Sequence, residues 1–101
     1  MSSERPAASA GPLFTLVTRA DCHLCEVMLA ELGEYLARLR GEPVTTAVRR
    51  VTMLDVDASD QLRRQYGHKV PVLLLDGEVI CHGRLDRAEV ERLTRSVVPR
   101  I

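Results

Sequence analysis

Between Leu13 and Arg40 the spacing of apolar residues changes from that of a strand to that of a helix, and this change limits the possible folds most. Leu13 to Thr18 (LFTLVT) is a short run rich in strand formers. After the turn-like Arg19, Ala20 and Asp21, the residues Val27, Met28, Leu29, Leu32, Leu36 and Leu39 recur mostly at steps of three and four. Glu26, Glu31, Glu34, Arg38 and Arg40 fill much of the remaining surface, and Gly41 and Pro43 mark the end of the helix. A strand therefore runs directly into a two-sided helix, with Cys22 and Cys25 at the junction. The chain has 101 residues, enough for one core and not for two.

The remainder continues the alternation. Val48 to Val56 (VRRVTMLDV) reads as a second strand, and Asp57, Ala58, Ser59 and Asp60 offer caps for a short helix through Tyr66, closed by Gly67. Two strands with a helix between them imply a parallel pair joined by a right-handed crossover. Val70 to Leu75 (VPVLLL) is the most apolar run in the chain. Asp76-Gly77 and then Glu78 to Cys81 (EVIC) read as a two-residue hairpin turn and a return strand. From Asp86 to Val98 helical spacing returns through Ala88, Val90, Leu93 and Val97, with Asp86 as cap and Glu89 three residues on. The order β-α-β-α-β-β-α describes an α/β fold, a four-stranded mixed sheet with helices on both faces. Residues 1–12, which include Pro6 and Pro12 and offer nothing to bury, read as a flexible leader before a single domain over residues 13–101.

Fourteen basic and fourteen acidic residues leave no basic excess of the kind that nucleic acid or an anionic membrane would require. The arginines, among them Arg63 and Arg64, are scattered over several elements and read as solvated faces. No stretch reaches the roughly 18 apolar residues of a membrane span, and residues 1–12 lack the apolar middle of a secretory signal. A cytoplasmic monomer is expected. Three cysteines, with one close pair, do not suit a secreted disulfide framework and suit a catalytic or metal-binding pair better. His68 and His82 stand at no recognised metal spacing, so no metal site is expected, and a zinc site made from Cys22, Cys25 and a distant His is the weaker alternative.

The first turn of a helix leaves N–H groups unpaired and carries partial positive charge, both of which favour a thiolate. Cys22 is on these grounds the candidate nucleophile, and Cys25, one turn on and on the same face, the resolving thiol. His23, when protonated, would lower the thiol pKa further, whereas the carboxylate of Asp21 would raise it. Cys81, at the end of the return strand, reads as a small apolar filler, with a redox or regulatory role as the alternative.

The first strand, the Cys-His-Leu-Cys motif of residues 22–25 and the later Val70-Pro71, in that order, resemble a glutaredoxin-like protein of the thioredoxin fold, of the small single-domain type with a Cys-x-Leu-Cys motif. The resemblance spans roughly residues 12 to 98. It implies a thiol-disulfide oxidoreductase whose active site lies where the first strand meets the first helix, acting on protein or small-molecule disulfides. No bound cofactor is implied, and glutathione is the candidate co-substrate. It further implies a cis Val70-Pro71 bond facing the cysteines, with the backbone of Val70 pairing with the substrate chain. Arg19, three residues before Cys22, stands where such proteins usually hold a lysine, and would meet a glutathione carboxylate with help from Gln61 or Arg64. Asp86 falls in the element that would hold the other carboxylate. That element, Gly-Gly-x-Asp-Asp in the family, is here Cys81-His82-Gly83-Arg84-Leu85-Asp86, and the usual proline and tyrosine between the cysteines are replaced by His23 and Leu24. Two other classes of function compete: an iron-sulfur cluster carrier anchored by Cys22 between two chains, and an interaction module whose cysteines are incidental.

Overall fold

Strand β1 (Phe14–Thr18) is built from residues that bury on both sides: Phe14, Leu16 and Val17 are all at most 2% exposed. Such a strand is stable only inside a sheet covered on both faces. The computed structural model, which describes residues 13–97, places it there, in a four-stranded sheet of order β2-β1-β3-β4. The leader expected over residues 1–12, and Val98 at the end of the last expected helix, lie outside the described residues. Strand β1 pairs in parallel with β2 (Val51–Asp55) and antiparallel with β3 (Val72–Leu75), which in turn pairs antiparallel with β4 (Glu78–His82).

The sheet divides the core into two clusters, one on each face of β1. Phe14 and Leu16, with Leu73 and Leu75 of β3, pack against Met28, Leu32 and Leu36 of α1 (His23–Arg40) and Val90 of the C-terminal helix. Val17, with Val72 and Leu74, packs on the other side against Leu62 and Tyr66 of the short helix Asp60–Tyr66. The expected α/β architecture, with helices on both faces, is therefore present. The caps also fall where the sequence puts them. Ser59 Oγ accepts from the Leu62 N–H at 3.1 Å, and Asp86 Oδ1 accepts from the Glu89 N–H at 3.1 Å ahead of the helix Arg87–Val97. The hairpin turn has positive φ at both Asp76 (51°) and Gly77 (90°), the backbone that a two-residue turn of this hand needs. Asp76 also ties the hairpin to the start of β1, exchanging hydrogen bonds with the backbone of Leu13 through its N–H and its carboxylate.

Two expectations need correction. Val48 to Arg50 does not belong to the second strand: these residues form a 3-10 turn that follows a single helical turn, α2 (Val44–Ala47), and β2 begins only at Val51. The β-branched residues here have strand propensity, but packing overrides it. Ala47 is fully buried, and α1 presents Gly33, which has no side chain to keep Val44 and Val48 away. The return strand β4 is also less buried than its sequence suggests. It lies at the sheet edge, with Glu78, Val79 and His82 exposed and Ile80 and Cys81 half-buried. With α2 counted, the helix Asp60–Tyr66 is α3 and the helix Arg87–Val97 is α4. Among the described residues no helix is long and apolar enough to cross a membrane.

A Cβ at position 33 would stand 2.5 Å from Cγ1 of Val48, a stiff side chain on the neighbouring turn. Gly33→Ala gains about 1 kcal/mol of helix propensity, yet is expected to destabilise by about 1–2 kcal/mol net, lowering Tm by several degrees. In thermal melts the double variant Gly33→Ala/Val48→Ala should lose less than the sum of the two single changes.

Candidate functional site

Strand β1 ends at Thr18, and the chain turns through Arg19, Ala20 and Asp21 before α1 begins. Asp21 adopts a left-handed backbone (φ 58°), one that Asp tolerates better than most residues, and this bend delivers Cys22 to the helix start. Cys22 is the N-cap of α1. Its backbone is extended, its carbonyl accepts from the Glu26 N–H at 3.2 Å, and its Sγ accepts from the Cys25 N–H at 3.2 Å. A serine or aspartate usually caps a helix this way. Cys22 and Cys25 are joined as a disulfide with Cα atoms 5.2 Å apart, a usual span for such a bond. The two sulfurs are not equivalent: Cys22 is half-buried, whereas Cys25 is only 4% exposed.

Cis Val70-Pro71 is present as expected. Val17 pairs with Val72, so Pro71 is one residue beyond this pair and level with Thr18, at the end of the sheet from which the cysteine turn departs. Pro71 is buried and its carbonyl accepts from the Gly83 N–H at 2.8 Å. Val70 is half-buried, and its backbone N–H and carbonyl have no hydrogen-bond partner among the described residues.

Arg19 occupies the same end of the sheet but is already engaged. Its guanidinium donates to both carboxylate oxygens of Asp57, at 3.1 and 3.4 Å, and to the Gly67 carbonyl at 3.3 Å. These hydrogen bonds hold the Asp57 carboxyl below the usual aspartate range. Arg63 joins the group, donating to the Asp57 carbonyl at 3.2 Å and pairing with Asp60. Arg19, Asp60, Arg63, Arg64, Gly67 and His68 line a cavity of about 370 Å³ on the α3 side. Arg63 is thus more than part of a solvated face, and neither Arg63 nor His68 was expected at the site. They reach the site because α3 packs on the sheet face beside Arg19, a long-range placement that no local pattern in the sequence marks.

His23 turns outward. Its side chain is 84% exposed and its Nδ1 lies 4.0 Å from a carboxylate oxygen of Glu26. Asp86 serves as the α4 cap described above, and Gln61 is exposed. Cys81 lies opposite Leu73 and packs against the larger core, and burial pushes its thiol pKa up. It is therefore a protonated, weakly reactive thiol beside the ordinary range. Among the described residues no group of three His, Cys, Asp or Glu side chains is placed to hold a metal ion.

The model of the family described as "Glutaredoxin-like domain (DUF836)" matches residues 13–94. Protein Rv0508 of Mycobacterium tuberculosis and protein Mb0520 of Mycobacterium bovis are each 33% identical to this chain over 90 residues, covering 82% of it and 87% of their own length. The solution NMR structure of protein Ne2328 from Nitrosomonas europaea matches with a TM-score of 0.67 at 24% identity, covering 93% of this chain and 99% of that one. That similarity places the chain in the thioredoxin-like fold.

The Arg19-Asp57 pair has a pH signature. A depressed carboxyl pKa contributes stability above the unfolded value near 3.8, and that contribution is lost as pH falls through the lower folded value. In Arg19→Gln, an NMR titration of side-chain carboxyls should find Asp57 moved up towards 3.8, and acid unfolding should begin at a higher pH than in the parent protein.

Proposed function

The chain belongs to the glutaredoxin-like domain family, and from that premise we propose that it is a thiol-disulfide oxidoreductase with Cys22 as nucleophile and Cys25 as resolving thiol. The observation that carries this reading is the placement of Cys22 as the N-cap of α1. Its sulfur receives the Cys25 N–H and the positive end of the helix, and Cys25 is held behind it, shielded from solvent.

In the reduced protein the Cys22 thiolate attacks one sulfur of a substrate disulfide. A Cys22-substrate disulfide forms, and the other substrate sulfur leaves as a thiolate that takes up a proton. Cys25, once deprotonated, attacks Cys22 Sγ, closes the intramolecular bond and expels the second substrate thiolate. Two electrons pass from the protein dithiol to the substrate. Two external thiols, or a reductase, return the pair to the dithiol state by the reverse exchange. The unpaired backbone groups of Val70 beside buried Pro71 support its expected part, which is to hydrogen-bond the substrate chain next to its sulfur.

Glutathione as the external thiol would meet the cavity between Arg19 and α3, where Arg19, Arg63 and Arg64 outnumber Asp60 and so favour a carboxylate. Binding there requires Arg19 to share its guanidinium with Asp57. Asp86 is committed to the α4 cap, so it contributes to substrate binding only through the loop that it helps to hold. A cytoplasmic setting, in which thiols are kept reduced, belongs to the same reading.

The decisive measurement is the rate of Cys22 alkylation against pH. A midpoint at least about one unit below the 8.5 of a free thiol is expected, and a midpoint at 8.5 would remove the chemical basis of the proposal. Cys22→Ser should reduce turnover of 2-hydroxyethyl disulfide to background. Cys25→Ser should complete the first exchange and then stall, accumulating a mixed disulfide visible by mass spectrometry.

A further inference from the structure

A second cavity, of about 250 Å³, lies between α1 and the edge strand β2, and apart from the two cysteines its walls take no part in the exchange described above. Its walls include Cys22, Cys25 and Leu29 from the α1 region and Met53 from β2. Met53 pairs with Leu16, whose side chain packs against α1, so this cleft opens on the face of the sheet opposite α3 and the arginine cavity. Whatever enters it lies directly beside the redox bond.

Three observations define what would fit. The side walls are apolar: Leu29 is half-buried, and Met53, a flexible and polarizable side chain, is left 47% exposed. The charges at the cleft are chiefly negative, since Asp21 and Glu26 flank Cys22 while the guanidinium of Arg19 is committed to Asp57 and Gly67. Among the described residues, nothing pairs with the outer edge of the strand that forms the outer wall. Edge strands are commonly blunted by lysine, proline or a covering element, yet β2 reads Val-Thr-Met-Leu-Asp, with Thr52 to Asp55 exposed at the edge of the sheet. An open edge of this kind offers main-chain groups to an extended chain, with alternate side chains of that chain directed to one face.

We propose that this cleft binds an extended segment of a protein disulfide substrate, taking up an apolar side chain near the substrate cysteine between Met53 and Leu29, with a neighbouring cationic residue facing Asp21 and Glu26. The inference rests on the oxidoreductase reading and adds a substrate class to it: disulfides in apolar, basic surroundings. Met53 and Leu29 are then specificity residues that take no part in the electron transfer.

The test uses the oxidised protein, in which no exchange occurs, and a short capped peptide with a leucine and a lysine beside a serine that replaces the substrate cysteine. Amide shifts in NMR titration should concentrate at Glu26, Leu29 and Met53. A peptide with serine and glutamate in place of the leucine and lysine should bind at least about tenfold more weakly, the usual scale for an apolar side chain lost from a pocket. Met53→Asn, an uncharged polar change at an exposed position, should shrink the preference to the part carried by charge, and Met53→Leu should keep it in full. Equal binding of the two peptides overturns the proposal, as do shifts confined to the α3 side. So does a concentration-dependent dimer in sedimentation that occupies the β2 edge without peptide. Turnover of 2-hydroxyethyl disulfide by the same protein separates the two claims. If it is absent while cleft binding persists, the redox reading fails and the cleft stands as a peptide site.

Discussion

The burial of β1 on both of its faces is the constraint from which the rest of the molecule follows. Leu16 and Val17 are adjacent, point to opposite sides and are fully inaccessible, so each face of the sheet must be closed by its own helices. Burying side chains of this size contributes roughly 1.5–3 kcal/mol each. With α1 and α4 on one face and α3 on the other, the only places left for chemistry are the sheet's edges and its ends. The end at Thr18 is where a parallel and an antiparallel neighbour both stop, and there the chain turns into α1.

Much of that arrangement was legible in the sequence because it is specified locally. The change of period at Asp21, the Asp76-Gly77 turn and the caps at Ser59 and Asp86 each depend on a few consecutive residues whose geometry admits few alternatives. The turn of α2 and the 3-10 segment after it were hidden for the opposite reason. Val44, Thr45, Thr46 and Val48 are poor helix formers taken alone, and they are held in a helical turn by the gap at Gly33, in a different element.

The candidate site shows the same division. Cys22, Cys25 and Pro71 were readable as motifs. The link from Arg19 to Asp57 spans 38 residues and exists because two parallel strands deliver their following loops to one place. No local pattern marks it, and its result is that the cation three residues before Cys22 is partly neutralised in the folded chain. The flanks of the disulfide consequently differ: arginines paired with Asp57 and Asp60, together with an imidazole, on the α3 side, and a thioether with the carboxylates of Asp21 and Glu26 on the α1 side.

The knot between Leu13 and Asp76 fastens the beginning of β1 to the hairpin, at the opposite end of a five-residue strand from Thr18. At a rise of about 3.3 Å per residue, some 17 Å of rigid sheet separate that anchor from the cysteine turn. A fluorophore or affinity handle attached at Leu13 itself would therefore stand at the opposite end of the sheet from the Cys22–Cys25 pair, and leave Cys22 open to soluble reagents.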